Sequence, residues 1–132
     1  GAAIELFHGY TYSSHPLAVA ACKATQQVYA DEGLFQRAAE MAPIFEDALH
    51  SLKGEPNVID IRNYGLMGAV EFAAIEGQPG ARGAELIQKS FEDGLMVRVT
   101  GDTIAMSPPL ILEESHIHQA VETFRTVLRA PK

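Results

Sequence analysis

The chain has a single cysteine, only ten lysines and arginines, and no long apolar run, and each scarcity removes a class of protein. One cysteine forms no intramolecular disulfide, so a disulfide-stapled secreted scaffold is excluded and a reducing compartment is weakly indicated. Cys22 lies inside the apolar run Leu17 to Ala24 and is expected to be a small buried hydrophobe. The basic residues are few and scattered against a formal charge of -7 and a pI near 5.1. A polyanion is then not the expected partner, because nucleic-acid affinity rests on clustered Lys and Arg over phosphates. No stretch reaches the ~18 apolar residues of a membrane span, and the N-terminus lacks the basic-then-apolar pattern of a secretory signal. The expectation is a cytoplasmic protein that engages neither nucleic acid nor membrane.

Metal-ligand patterns are equally thin. The sequence contains neither CxxC nor HExxH, and His116 and His118, two apart, point to different faces of a helix. His8 and His15 meet only if the loop between them folds back. No metal site is expected. A G-x-S-x-G nucleophile elbow is missing too, and Gly65-Leu66-Met67-Gly68 lacks the following helix of a phosphate loop.

What is present is ordinary globular material: 132 residues, 47% hydrophobic and 20% charged, enough to bury one core. From Pro16, residues Leu17, Ala20, Ala21, Ala24 and Val28 recur at helical spacing, with Ser13 or Ser14 able to cap, which predicts a helix from about 15 to 32. A second apolar stripe, Leu34, Ala38, Met41, Phe45, Leu49 and Leu52, ends at Gly54, and Pro43 inside it predicts a kink or break. Ile59 and Ile61 then alternate with Asp60 and Arg62, and Leu66, Val70 and Phe72 share one parity, so a hairpin through Asn63-Tyr64-Gly65 follows. Ala84, Ile87 and Phe91 mark a third helix stopping at Gly94. Leu95, Val97 and Val99 alternate with Met96, Arg98 and Thr100 up to a Gly101-Asp102 turn, after which Ile104 and Met106 face one way. A closing helix carries Ile117, Val121, Phe124 and Leu128, with Glu113 and Glu114 in its first turn. The order ααββαββα, with hairpins and no repeated strand-helix-strand unit, reads as an α+β domain: a small antiparallel sheet with helices on one face.

Two places invite chemistry. The stretch FHGYTYSSHP, Phe7 to Pro16, crowds hydroxyls at the mouth of the first helix. The unpaired N–H groups and partial positive charge there, together with Thr11, Ser13 and Ser14, suit an anion such as phosphate; equally, Ser13 or Ser14 simply caps the helix while the rest packs. Arg98 has the parity opposite Leu95, Val97 and Val99. It is either a solvated surface residue or a guanidinium held by the Gly-Asp turn and Ser107-Pro108-Pro109 for a small carboxylate.

In order along the chain, HGYTYSSHPLAVAACKAT, EGLFQRA, VIDIRNYGLMGAVEF and GLMVRVTGDTIAMSPPLIL resemble the C-terminal part of the class III aminotransferases of the ω-amino acid and amine:pyruvate type. The most specific pieces are H-G-x-T-Y-S-x-H-P and R-x-x-G-D followed by S-P-P-L. The resemblance implies the C-terminal small domain of a fold-type I transferase, dependent on pyridoxal 5'-phosphate (PLP) and acting as a homodimer on small amine and keto-acid substrates. It implies that Thr11, with the main chain of Tyr10, binds the cofactor phosphate held by the neighbouring subunit, and that Arg98 pairs with the substrate carboxylate. Residues 1–14 would then be the segment serving the site across the interface, and 15–132 the small domain with the helix leading into it. The lysine that carries the cofactor should lie upstream of HGYTYSSHP. Lys23, Lys53, Lys89 and Lys132 do not match it, so no catalytic residue is assigned here and these residues alone are expected to be inactive. With no initiator Met or leading element before its first motif, the chain is expected to be a piece of a longer one. The alternative is a free-standing α+β module for dimerisation or small-anion binding.

Overall fold

In the computed structural model, residues 9–11 and 13–130 are described. Eight elements follow one another: α1 (Pro16–Asp31), α2 (Leu34–His50), β1 (Val58–Tyr64), β2 (Met67–Phe72), α3 (Ala81–Glu92), β3 (Arg98–Thr100), β4 (Thr103–Met106) and α4 (Glu114–Arg129). They fall into two compact units, Gly1–Gly33 and Leu34–Lys132.

In the first unit, Pro16 opens α1 at a position where a missing N–H costs nothing. The expected serine cap is not made. The N-cap is His15, in extended conformation, and no side chain caps the helix; Ser14 instead takes a left-handed φ of 62°. The Ser13 N–H donates to the Tyr10 carbonyl at 2.9 Å, so the serines close a turn ahead of the helix rather than cap it. No residue of α1 is buried, and Cys22 is exposed, against the expectation of a buried thiol. Helical spacing identifies an apolar face; burying it takes a surface packed against it.

In the second unit, a four-stranded antiparallel sheet has the order β1-β2-β4-β3, so the two hairpins meet along β2 and β4. Gly68, Val70 and Phe72 of β2 and Ile104 and Met106 of β4 are buried on one side, and α2, α3 and α4 cover that side. Phe72 and Phe124 of α4 meet edge to face, centroids 6.0 Å apart at 75°. With Leu49, Leu52, Val70 and Ile104 they form the centre of the core, each such side chain stabilising the fold by about 1.5–3 kcal/mol through apolar burial.

Several local expectations need correction. α2 runs through Pro43 without a break, its ends held by buried Leu34 at the start and Phe45 and Leu49 beyond the proline. Ile59 is 62% exposed because a bulge shifts the register between Val58 and Asp60, turning it out while Ile61 stays against the core. The first hairpin turns at Gly65-Leu66, with Tyr64 paired to Met67 as part of the strands. On α3 the buried positions are Gly83, Leu86 and Ser90, and Phe91 is 69% exposed; the inward face lies one residue away from the Ala84-Ile87-Phe91 series.

Two helix starts use distant or reciprocal caps. Glu113 is the N-cap of α4, closing a box in which its own N–H donates to His116 Nδ1 at 3.1 Å. The N-cap of α3, Gly80, has no side chain to offer. Asp102, in the turn between β3 and β4, supplies the acceptor, taking the Gly80 N–H at 2.7 Å and the Gly83 N–H at 3.1 Å.

Candidate functional site

Each arginine of this chain can be asked what it binds. Arg37 donates to the Leu112 carbonyl at 2.6 Å and Arg82 to the Ala73 carbonyl at 2.6 Å. Arg62 pairs with Asp60 and Glu71, while Arg125 and Arg129 converge on the buried carboxylate of Glu55. Alone among them, the Arg98 side chain makes no hydrogen bond or ion pair with any described residue, its backbone pairing with β4. It is exposed at the start of β3, an edge strand, and its neighbours Val97 and Val99 turn inward, as the alternation requires.

Its surroundings are apolar. Where β3 begins and β4 ends, a cavity of about 680 Å³ is bounded by Leu95, Arg98, Met106, Pro108, Ile117 and Val121, among others, with Ser107 and His116 also on its wall. That volume suits a small organic molecule. An uncommitted guanidinium beside such a wall binds a carboxylate through two parallel N–H···O bonds, while the rest of the guest covers apolar surface.

The other expected site residues, Tyr10 and Thr11, belong to the first unit. Both are exposed, and Thr11 lies in the turn ahead of α1. The uncapped start of α1 leaves first-turn N–H groups without side-chain acceptors, so a hydroxyl and a positive helix end stand on one short segment. His8 lies outside the described residues, and so does Tyr12.

The two histidines at the start of α4 are both engaged within that helix. His116 closes the α4 capping box, and His118 contacts Glu114 at 3.4 Å one turn away. Among the described residues no three His, Cys, Asp or Glu side chains converge in a way that could hold a metal ion, and no helix is long and apolar enough to cross a membrane.

Asp102 is the residue that sequence reasoning passed over. Its carboxyl is held below the usual carboxylate range, first by the Gly80 N–H and then by the Gly83 N–H, against a smaller opposing effect of burial. The Gly-Asp pair was legible as a turn. Its service to a helix some twenty residues upstream was not, since only the fold brings the two together.

Residues 2–128 match the family model "Aminotransferase class-III". An omega-aminotransferase of Caulobacter vibrioides is 53% identical over 127 residues, 96% of this chain and 29% of that protein. A beta-alanine–pyruvate aminotransferase of Pseudomonas aeruginosa is 48% identical over 106 residues, 80% of this chain and 24% of that protein. Among solved structures, an omega transaminase from Pseudomonas jessenii in complex with PMP superposes with a TM-score of 0.83 at 32% identity, covering 92% of this chain and 28% of that one. The chain thus spans less than a third of the length of the relatives it matches. Family match, sequence identity and superposition agree over nearly every residue, and the chain belongs to the class III aminotransferases, a PLP-dependent family.

Proposed function

We propose that this chain is the C-terminal portion of an aminotransferase that moves an amino group from an amine or ω-amino acid to a keto acid such as pyruvate, working as a homodimer. One observation carries the substrate side of this reading: Arg98 is the arginine left uncommitted, and it stands on the wall of an apolar cavity. Arg98 binds the carboxylate of the keto acid or amino acid, and the apolar wall orients the carbon chain. Tyr10 and Thr11 contribute to the phosphate site of the neighbouring subunit. The donor set fits a phosphate, since Thr11 offers an exposed hydroxyl close ahead of an uncapped helix start.

When bound, PLP supplies the electron sink for the carbon that carries the amino group. These residues supply binding and orientation. A carrier lysine is not assigned among them: Lys89 is paired with Glu85 at 2.8 Å, and Lys23 and Lys53 are exposed on α1 and in the turn after α2.

The test is Arg98→Ala in the full-length enzyme. Loss of a charge-assisted pair should raise the KM for pyruvate about tenfold to a hundredfold while leaving turnover of an uncharged amine within about twofold. An unchanged KM for pyruvate would remove Arg98 from the substrate site. The phosphate reading is checked by Thr11→Ala, which should weaken PLP retention on dialysis without changing the keto-acid preference.

A further inference from the structure

The strand that carries Arg98 is the least supported in the sheet. β3 has three residues, lies at an edge, and bonds to β4 alone. A short edge strand of this kind shifts readily unless something else fixes it, and a guanidinium meant to meet a carboxylate in a forked geometry tolerates little drift.

Three contacts fix it, and all converge on the Gly101-Asp102 turn at its far end. The Asp102 carbonyl accepts the Phe72 N–H at 3.0 Å, tying the turn to β2 in the middle of the sheet. The Asp102 carboxylate accepts the Gly80 and Gly83 N–H groups, tying the same turn to the start of α3. Gly83 then lets helix and hairpin touch. A Cβ at that position would collide with the Gly101 carbonyl oxygen, a backbone atom, and would lie 2.7 Å from Val99 Cγ2. Val99 is the residue next to Arg98.

We infer that Asp102 is a positioning residue for Arg98: by clamping the β3–β4 turn to the start of α3, with Gly83 allowing the close approach, it sets the place from which the arginine meets the substrate carboxylate. This rests on the proposed role of Arg98. Asp102 itself touches no substrate. The clamp acts through the register and height of β3 above α3, and its energy is strengthened by the positive end of the helix that the carboxylate faces.

The experiment uses the full-length enzyme with Asp102→Ala, Asp102→Asn, Gly83→Ala, Arg98→Ala and the Asp102→Ala/Arg98→Ala pair. Asp102→Ala should raise the KM for pyruvate about fivefold to tenfold and alter turnover of an uncharged amine by less than about twofold, because only the carboxylate-bearing substrate reads the arginine's position. Asn keeps one acceptor for two N–H donors, so its effect should be intermediate. Gly83→Ala, which leaves the carboxylate intact and displaces the hairpin, should reproduce the KM effect. In the pair, Asp102→Ala should add nothing to Arg98→Ala. Amide exchange at Gly83, Val99 and Thr100 should speed up in Asp102→Ala, a change that does not depend on any substrate.

Unchanged exchange in both Asp102 variants would overturn the clamp whatever Arg98 does. Equal damage toward pyruvate and the uncharged amine would reduce Asp102 to a structural role and also overturn it. If Arg98→Ala raises the KM and neither Asp102 variant does, the positioning inference falls and the substrate reading stands. If Arg98→Ala changes nothing, the substrate reading falls and takes the inference with it.

Discussion

Glu55 is a buried acid 70 and 74 residues from the arginines that hold it. Its carboxylate accepts from Arg129 Nε at 2.8 Å and Nη2 at 2.6 Å and from Arg125 Nη1, and Arg125 also reaches the Ser51 carbonyl at 3.2 Å. The Arg129 hydrogen bonds are the largest influence and hold the carboxyl below its ordinary value, burial opposes them, and Arg125 adds to the lowering. A group whose folded pKa is depressed contributes stability above its unfolded pKa, and that stability is lost as pH falls through the folded value. Glu55→Gln should therefore lower Tm clearly near neutral pH, and the gap to wild type should narrow as pH drops below the ordinary carboxylate range. Thermal melts across that range check this; a gap independent of pH would mean that shape rather than charge secures the end of α4. Nothing in the sequence marked Glu55, because a pairing across more than half the chain leaves no local pattern. The outward place of Arg98 on β3 was legible for the opposite reason, since strand parity is local.

The elements were legible wherever a single face decides their fate. α2 and α4 followed their stripes, and β4 turned Ile104 and Met106 inward as alternation demands. Reading failed where packing overrides period. The bulge at Ile59 reverses parity for one residue, and α3 turns Gly83 inward because the β3–β4 turn leaves no room for a Cβ there, with Ser90 also buried and the larger Phe91 outside. Gly68 of β2 is a second close approach: a Cβ there would collide with Leu49 Cδ2 and lie 2.9 Å from Phe45 Cε1 of α2. Leu49 is fully buried and cannot swing away. Gly68→Ala should cost about 1–3 kcal/mol by overpacking, against about 3–5 kcal/mol for the cavity left by Phe124→Ala. Denaturant titration measures both, and the midpoint should move with little change in slope.

At the scale of the whole molecule, the proposed reading gives this chain a binding surface, and no lysine among the described residues is assigned as the cofactor's carrier. Anchoring PLP covalently takes a lysine amine poised at the reacting carbon, whereas Lys89 is engaged by Glu85 on the surface of α3, and Lys23 and Lys53 stand exposed in different units. In the proposed reading Arg98 holds a carboxylate and moves no proton. The 132 residues alone should consequently form no alanine from pyruvate and an amine donor, and should retain no cofactor absorbance after incubation with PLP and gel filtration. The full-length enzyme should do both. Stoichiometric retention by the 132 residues, abolished by replacing one of these lysines, would place the carrier inside this chain and overturn the division of labour. Retention without stoichiometry, spread over several lysines, is the surface reaction of an aldehyde with amines and leaves that division intact.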